Sequence, residues 1–219
     1  MNLATAILLS YLLGSVPFAF ILAKVLKNVD LRKVGSGNIG ATNLVRALGF
    51  KIGIVGLLLD ISKGIIPIIF LADLTTTKLN ISSDSLRLIL GLTSICGHNW
   101  TVFLKFKGGK GIATTFGVLI GLAIKNILIA KAISILALVW FVTFFIWQYV
   151  SLASIVSALS LPILLYVFKL GPDVIFFGII MSVFAIFRHK SNILRLIQHK
   201  ENRLDIKSKI QSLQKKALS

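Results

Sequence analysis

Acidic side chains are scarce in this chain, cysteine is almost absent, and charge of either sign disappears over long stretches. Cys96 is the single cysteine, so no intramolecular disulfide and no thiolate metal cluster can form, and its apolar surroundings make it a small core residue. Only 7 Asp and Glu stand against 24 Lys and Arg, a net charge of +17. So basic a chain suggests nucleic acid first. Its cations, however, sit between apolar spans, where anionic headgroups and loop orientation account for them better, and no nucleic-acid partner is expected. The N-terminus lacks the basic n-region of a cleavable signal and is expected to be a retained first helix; no lipidation signal is present. There is no convincing internal repeat.

What is present is apolar. The chain is 56% hydrophobic with a mean hydropathy of +0.92, more than a soluble core of this size needs. Uncharged or nearly uncharged spans fall at 3–23, 52–71, 88–104, 111–124 and 174–187. From 132 to 168 no charge occurs for 37 residues, which as one helix would measure ~55 Å, roughly twice the hydrocarbon thickness. That run must turn, and the polar cluster Gln148, Tyr149 and Ser151 is the place for it. The expected fold is all-α: a polytopic integral membrane protein with about seven transmembrane helices, N-terminus outside and C-terminus cytoplasmic. It divides into a transmembrane domain over 1–198 and a basic amphipathic cytoplasmic tail over 199–219. In that tail Ile206, Ile210, Leu213 and Ala217 share one helical face.

Charge sets the orientation. Lys24, Lys27, Arg32, Lys33, Arg46 and Lys51 in the first loop, Lys105, Lys107 and Lys110 in the third, and nine cations from Arg188 onward lie on one side. Only Lys78, Arg87, Lys125, Lys131 and Lys169 lie on the other. Eighteen against five is a positive-inside bias that puts both glycine-rich loops and the tail at the cytoplasmic surface.

The first of those loops carries Ser36, Gly37, Asn38, Gly40, Thr42 and Asn43, with Arg46 one turn further on. A dinucleotide-binding turn is excluded because no strand precedes it, and a Walker loop because Gly111 follows Lys110. What remains is a backbone nest for an anion, since glycine lets N–H groups approach closely. A tight turn with a helix cap is the simpler alternative, but it needs one polar residue rather than four. The second loop combines His98 and Asn99 with Lys105, Lys107, Gly108, Gly109 and Lys110. His98 and Asn99 sit inside an apolar span, where polar groups are costly and either functional or mutually satisfied. Asp60 and Lys63, three apart, are expected to pair on one helix face. Ser151 and Ser154 join the same surface, and His189, Asn192 and Arg195 recur every three residues before Glu201.

Taken together, these segments resemble the bacterial acyl-phosphate:glycerol-3-phosphate acyltransferases. The resemblance runs from Gly14-Ser15-x-Pro17-Phe18 through the first loop and Leu59-Asp60-x-x-Lys63-Gly64. It continues through Gly97-His98-Asn99-Trp100 and the lysine-glycine loop to His189-x-x-Asn192-Ile193-x-Arg195-Leu196. Thr101 stands where the family usually has proline, and His199 where it usually has glycine. The resemblance implies transfer of a fatty acyl group from acyl phosphate to the 1-hydroxyl of glycerol 3-phosphate at the bacterial cytoplasmic membrane, without cofactor or metal. It also implies membrane lipid and the soluble enzyme that makes acyl phosphate as partners. The H-x-x-x-x-D pair of other glycerolipid acyltransferases is missing, since Phe103, Leu194 and Leu204 follow the three histidines at that spacing.

On this reading the Ser36–Asn43 nest, Arg46 and Lys105 bind phosphate, and Ser36 or Asn38 polarises the carbonyl. His189, Asn192 and Arg195 hold glycerol 3-phosphate, and the proton goes to His189 or to the substrate's own phosphate. His98, Asn99, Lys107, Gly108, Gly109, Lys110, Ser154 and Glu201 complete the expected substrate contacts. A small transporter for phosphate or glycerol 3-phosphate is the rival reading; it predicts inverted repeats and midplane cations, neither of which is evident.

Overall fold

The computed structural model describes residues 1–204, and the expected tail helix lies outside them. Among the described residues the chain is helical, with one isolated bridge between Asn2 and Thr76. Helix α1 (Leu3–Ser15) starts at Asn2, whose side chain accepts from the Thr5 amide at 2.8 Å. It stops because Pro17 steers Val16 out of the helical region (ψ 116), and α2 (Phe18–Lys27) leaves at 41°. The stretch expected as one span is therefore a bent pair. A short amphipathic helix, α3 (Ala41–Leu48), precedes α4 (Phe50–Ile66). Pro67 then opens a wide turn over Pro67–Leu71, closed by the Ala72 amide donating to the Pro67 carbonyl at 3.0 Å, so that α4 and this turn run on for 22 residues.

Helix α5 (Ser83–Asn99) starts five residues earlier than expected, at the Ser82 cap, and ends earlier too. Trp100 leaves the helix, and the Thr101 hydroxyl caps a short turn by accepting from Phe103 while donating to the Ser15 carbonyl at 2.5 Å. Thr101 thus makes a bond that a proline there could not. Helix α6 (Ile112–Ala123) is apolar and short. Helices α7 (Ile127–Trp147) and α8 (Val150–Val167) divide the long uncharged run at Gln148, whose φ of 58° terminates α7 where the polar cluster predicted a turn. Helix α9 (Pro172–Arg188) bends by 60° into α10 (Lys190–Ile197).

Among the described residues three stretches are long and apolar enough to cross a membrane alone (Phe50–Leu71, α7 and α8), and the bent pairs α1–α2 and α9–α10 bring the total to five. Their outward faces carry exposed apolar side chains such as Leu138, Phe145, Ile163 and Val167. Lipid removes the hydrophobic drive between helices, so close packing of small residues has to hold them. Gly64 on α4 and Gly117 on α6 do this: a Cβ on either would collide with the carbonyl oxygen of Thr114 or Ile61 across the contact. The core among α5 to α9 is built from Ile95, Leu119, Leu161, Leu165, Phe177 and Met181. Cys96 is only partly buried.

Candidate active site

Three segments meet at one end of the bundle: the loop before α3, the loop between α5 and α6, and the α9–α10 corner with the residues after it. In the first, Gly35 and Gly37 take φ of +57° and +70°, which curls the backbone around the Asn43 side chain. Asn43 is 1% exposed. Its Oδ1 accepts from the Ser36 amide at 3.0 Å, and its Nδ2 donates to the carbonyls of Leu31, Val34 and Asn38 at 2.9–3.0 Å. Asn43 is the hub that shapes this loop, leaving the Ser36 and Asn38 side chains at the cavity wall.

The second loop is held from the third segment. Arg188, at the end of α9, donates through Nε to the Gly109 carbonyl at 2.9 Å and through Nη2 to the Gly108 carbonyl at 2.7 Å. Its guanidinium also lies 5.8 Å from the Trp100 ring centre. These contacts present Lys110, whose ammonium donates to Asn192 Oδ1. Asn192 passes the chain of bonds on by donating through Nδ2 to Glu201 Oε1 at 2.7 Å, which the Ser151 hydroxyl also approaches at 2.8 Å. Arg195 donates to the other carboxylate oxygen at 2.8 Å. His189 is 2% exposed, and its Nδ1 lies 2.8 Å from the Ala185 carbonyl. A carbonyl can only accept, so Nδ1 carries the proton and Nε2 is left as an acceptor.

Burial, reinforced by Arg195, Arg46 and Arg188 and opposed by Glu201, brings the Lys110 ammonium down to about 8. Burial raises the Glu201 carboxyl, but the hydrogen bonds from Arg195, Asn192 and Ser151 outweigh it and leave that group below its ordinary value. Beyond Glu201 the chain runs as a strap from α3 to the turn between α7 and α8. Arg46 Nη2 donates to the Asn202 carbonyl at 3.1 Å, Arg203 to the Tyr149 hydroxyl, and the Leu204 amide to the Gln148 carbonyl. His199, in the position usually held by glycine, takes the left-handed φ of 54° that the turn into this strap requires.

Two cavities share one wall. The inner one, about 320 Å³, runs from Ser36, Asn38, Arg46, Lys110 and His189 into the bundle along Phe116, Leu119, Leu136, Trp140, Leu161 and Met181. Its walls come from α4, α6, α7, α8 and α9, and the lining residues Leu57 on α4 and Phe141 on α7 are 39% and 52% exposed. The outer cavity, about 450 Å³, is lined by Gly37, Trp100, Arg188, Lys190 and Arg195. Ser36, Asn38 and Lys110 belong to both.

The expected residues divide accordingly. Gly40, Thr42, Asn43, Arg46, His98, Ser154, His189, Asn192 and Glu201 line the inner cavity, and Gly37 and Arg195 the outer. Lys105, Lys107, Gly108, Gly109 and Asn99 line neither: the two lysines are exposed, and Asn99 is enclosed beneath Gly111. Arg188 and Trp140 were not singled out from the sequence. The position of Arg188 directly before the His189 motif was the available signal for the first. Trp140 sits in a uniformly apolar run and gave none.

Known proteins carry the same architecture. The family model for glycerol-3-phosphate acyltransferase matches residues 4–199. A glycerol-3-phosphate acyltransferase of Geotalea daltonii is 41% identical over 193 residues, covering 88% of this chain and 93% of its own. That of Endomicrobium trichonymphae is 42% identical over 200 residues, covering 91% and 94%. Among solved structures, the integral membrane glycerol 3-phosphate acyltransferase PlsY in its glycerol 3-phosphate form superposes with a TM-score of 0.80 at 39% identity, over 92% of this chain and 95% of that one. Its lysophosphatidic acid form gives 0.77 at 38% identity, over 92% and 94%. With nearly its whole length matched, this chain belongs to the glycerol-3-phosphate acyltransferase family.

Proposed function

We propose that this enzyme moves a fatty acyl group from acyl phosphate to the 1-hydroxyl of glycerol 3-phosphate, releasing lysophosphatidic acid and phosphate. Family membership makes the chain an acyltransferase, and the transporter reading falls away with it. The observation that carries the finer reading is the shared wall of Ser36, Asn38 and Lys110 between an apolar chamber and a cationic one. An acyl phosphate has an apolar tail and a dianionic head, and glycerol 3-phosphate is wholly polar. The two chambers match those two molecules.

Acyl phosphate is a mixed anhydride with a good leaving group, so direct attack needs no covalent enzyme intermediate. The acceptor oxygen bonds to the carbonyl carbon, the carbon–oxygen bond to phosphate breaks, and the hydroxyl proton goes to His189 Nε2 or to a substrate phosphate. Ser36 and Asn38 donate to the developing oxyanion, and Lys110 with Arg46 takes the departing phosphate. Arg195, Lys190 and Arg188 draw glycerol 3-phosphate into the outer chamber. The donor slides in from the bilayer between α4 and α7.

This reading places the chain in the bacterial cytoplasmic membrane with seven spans: α1–α2 as one bent span, then α4 to α9, with the N-terminus outside. The meeting of the two glycine loops with the α10 segment at one end of the bundle supports that orientation. The soluble enzyme that makes acyl phosphate would approach the same cytoplasmic face. The test is purified protein in lipid vesicles with labelled glycerol 3-phosphate. Labelled lysophosphatidic acid should form with acyl phosphate and not with acyl-CoA, and product from acyl-CoA alone would overturn the donor assignment.

A further inference from the structure

His98 and Asp60 line the inner cavity and are buried, and neither belongs to the wall that it shares with the outer cavity. Lys63 Nζ binds Asp60 Oδ1 at 2.9 Å and the Val16 carbonyl at 2.9 Å, and both side chains of the pair are at most 3% exposed. The His98 ring, 7% exposed, turns Nδ1 toward the same carboxylate oxygen at 3.8 Å, and that nitrogen has no hydrogen-bond partner. The opposite edge of the ring presses on the second glycine loop, because a Cβ on Gly109 would strike His98 Nε2. The His98 carbonyl also accepts from the Gly109 amide at 3.0 Å. The ring is a spacer between a fixed buried carboxylate and the backbone next to Lys110.

We infer that His98, backed by the Asp60–Lys63 pair, is a positioning residue that sets the height of the Gly108–Lys110 backbone and so aims Lys110 at the substrate phosphates. This rests on the acyltransferase reading above. Arg188 holds the loop from the outside through the Gly108 and Gly109 carbonyls, and His98 supports it from the inside. Loss of the ring, or of the charge behind it, lets the loop sink and carries the Lys110 ammonium off its aim, although the lysine itself is still present. A shift of an ångström at a positioned charge is enough to lower rates by large factors.

The experiment uses the full chain in lipid with three variants: His98→Gln, Asp60→Asn and Gly109→Ala. The expected result is a roughly tenfold rise in KM for glycerol 3-phosphate or acyl phosphate in each, with Gly109→Ala acting in the same direction because its methyl displaces the ring. Calorimetric binding of glycerol 3-phosphate alone reads the same weakening without turnover. If Asp60→Asn or His98→Gln does not fold, Gly109→Ala decides, since it leaves the Asp60–Lys63 pair and the His98 side chain in the protein. Unchanged KM and binding constants, whatever happens to Tm, overturn the inference. A wild-type enzyme that makes no product from acyl phosphate overturns the donor reading instead.

Discussion

The Lys110 ammonium and the Asn192 carboxamide, 82 positions apart in the chain, are directly hydrogen-bonded, and Asn192 hands that bond on to Glu201. The glycine loop and the α10 corner are therefore one charged network. Lys110 faces Glu201 together with Arg195, Arg46 and Arg188. With the ammonium brought down to about 8, its charge is present below that pH and lost above it. The kcat/KM profile should fall on the alkaline side near pH 8, and Lys110→Arg should move that limb up by more than one unit. An alkaline limb that stays put in Lys110→Arg would remove Lys110 from the phosphate site.

Ser36 stands at the wall common to both chambers. If its hydroxyl stabilises the oxyanion, Ser36→Ala should lower kcat by about 10²-fold with little change in either KM. Steady-state kinetics in lipid checks this.

Glu201 is bound by Ser151, Asn192 and Arg195, and its carboxyl lies below its ordinary value. Such a group stabilises the fold above its unfolded pKa, and the contribution is lost as pH falls through the folded one. Glu201→Gln should lower stability at neutral pH by about 1–3 kcal/mol and flatten the acid side of the Tm profile. Thermal unfolding from pH 3 to 7 reads both effects.

Most of the fold was legible because its signals are local. The uncharged run exceeded the membrane thickness, and Gln148 ends α7 with a left-handed residue at the expected turn. Asp60 and Lys63 were three apart and do pair at 2.9 Å. Less was legible in the site, because contacts between distant segments leave no spacing to read. Asn43 looks like a substrate ligand in sequence, yet four loop groups use up its amide. Lys105, Lys107 and Lys110 look equivalent, and only the backbone course between Trp100 and Gly111 separates one half-buried lysine from two exposed ones. The α1–α2 bend was hidden by hydropathy, which does not register what Pro17 does to Val16.

The apolar chamber should measure its substrate. Ala158 lines it on α8 between Ser154 and Leu161. Ala158→Phe would fill space there, at a stability cost of about 1–3 kcal/mol. Rates with long-chain acyl phosphates should fall at least tenfold relative to short-chain ones. Equal losses at every chain length would mean the tail lies elsewhere.

His189→Ala separates the two proton acceptors. Retention of most turnover at saturating substrate would assign the proton to the substrate's phosphate, and a loss of about 10²-fold or more would assign it to Nε2.

The most direct measurement is a structure of the protein with a non-hydrolysable acyl phosphonate bound. The phosphonate should lie within hydrogen-bonding distance of Ser36, Asn38 and Lys110, with its chain running between α4 and α7 toward Leu161 and Met181. A head group bound away from that shared wall, or a chain outside the inner cavity, would contradict the account.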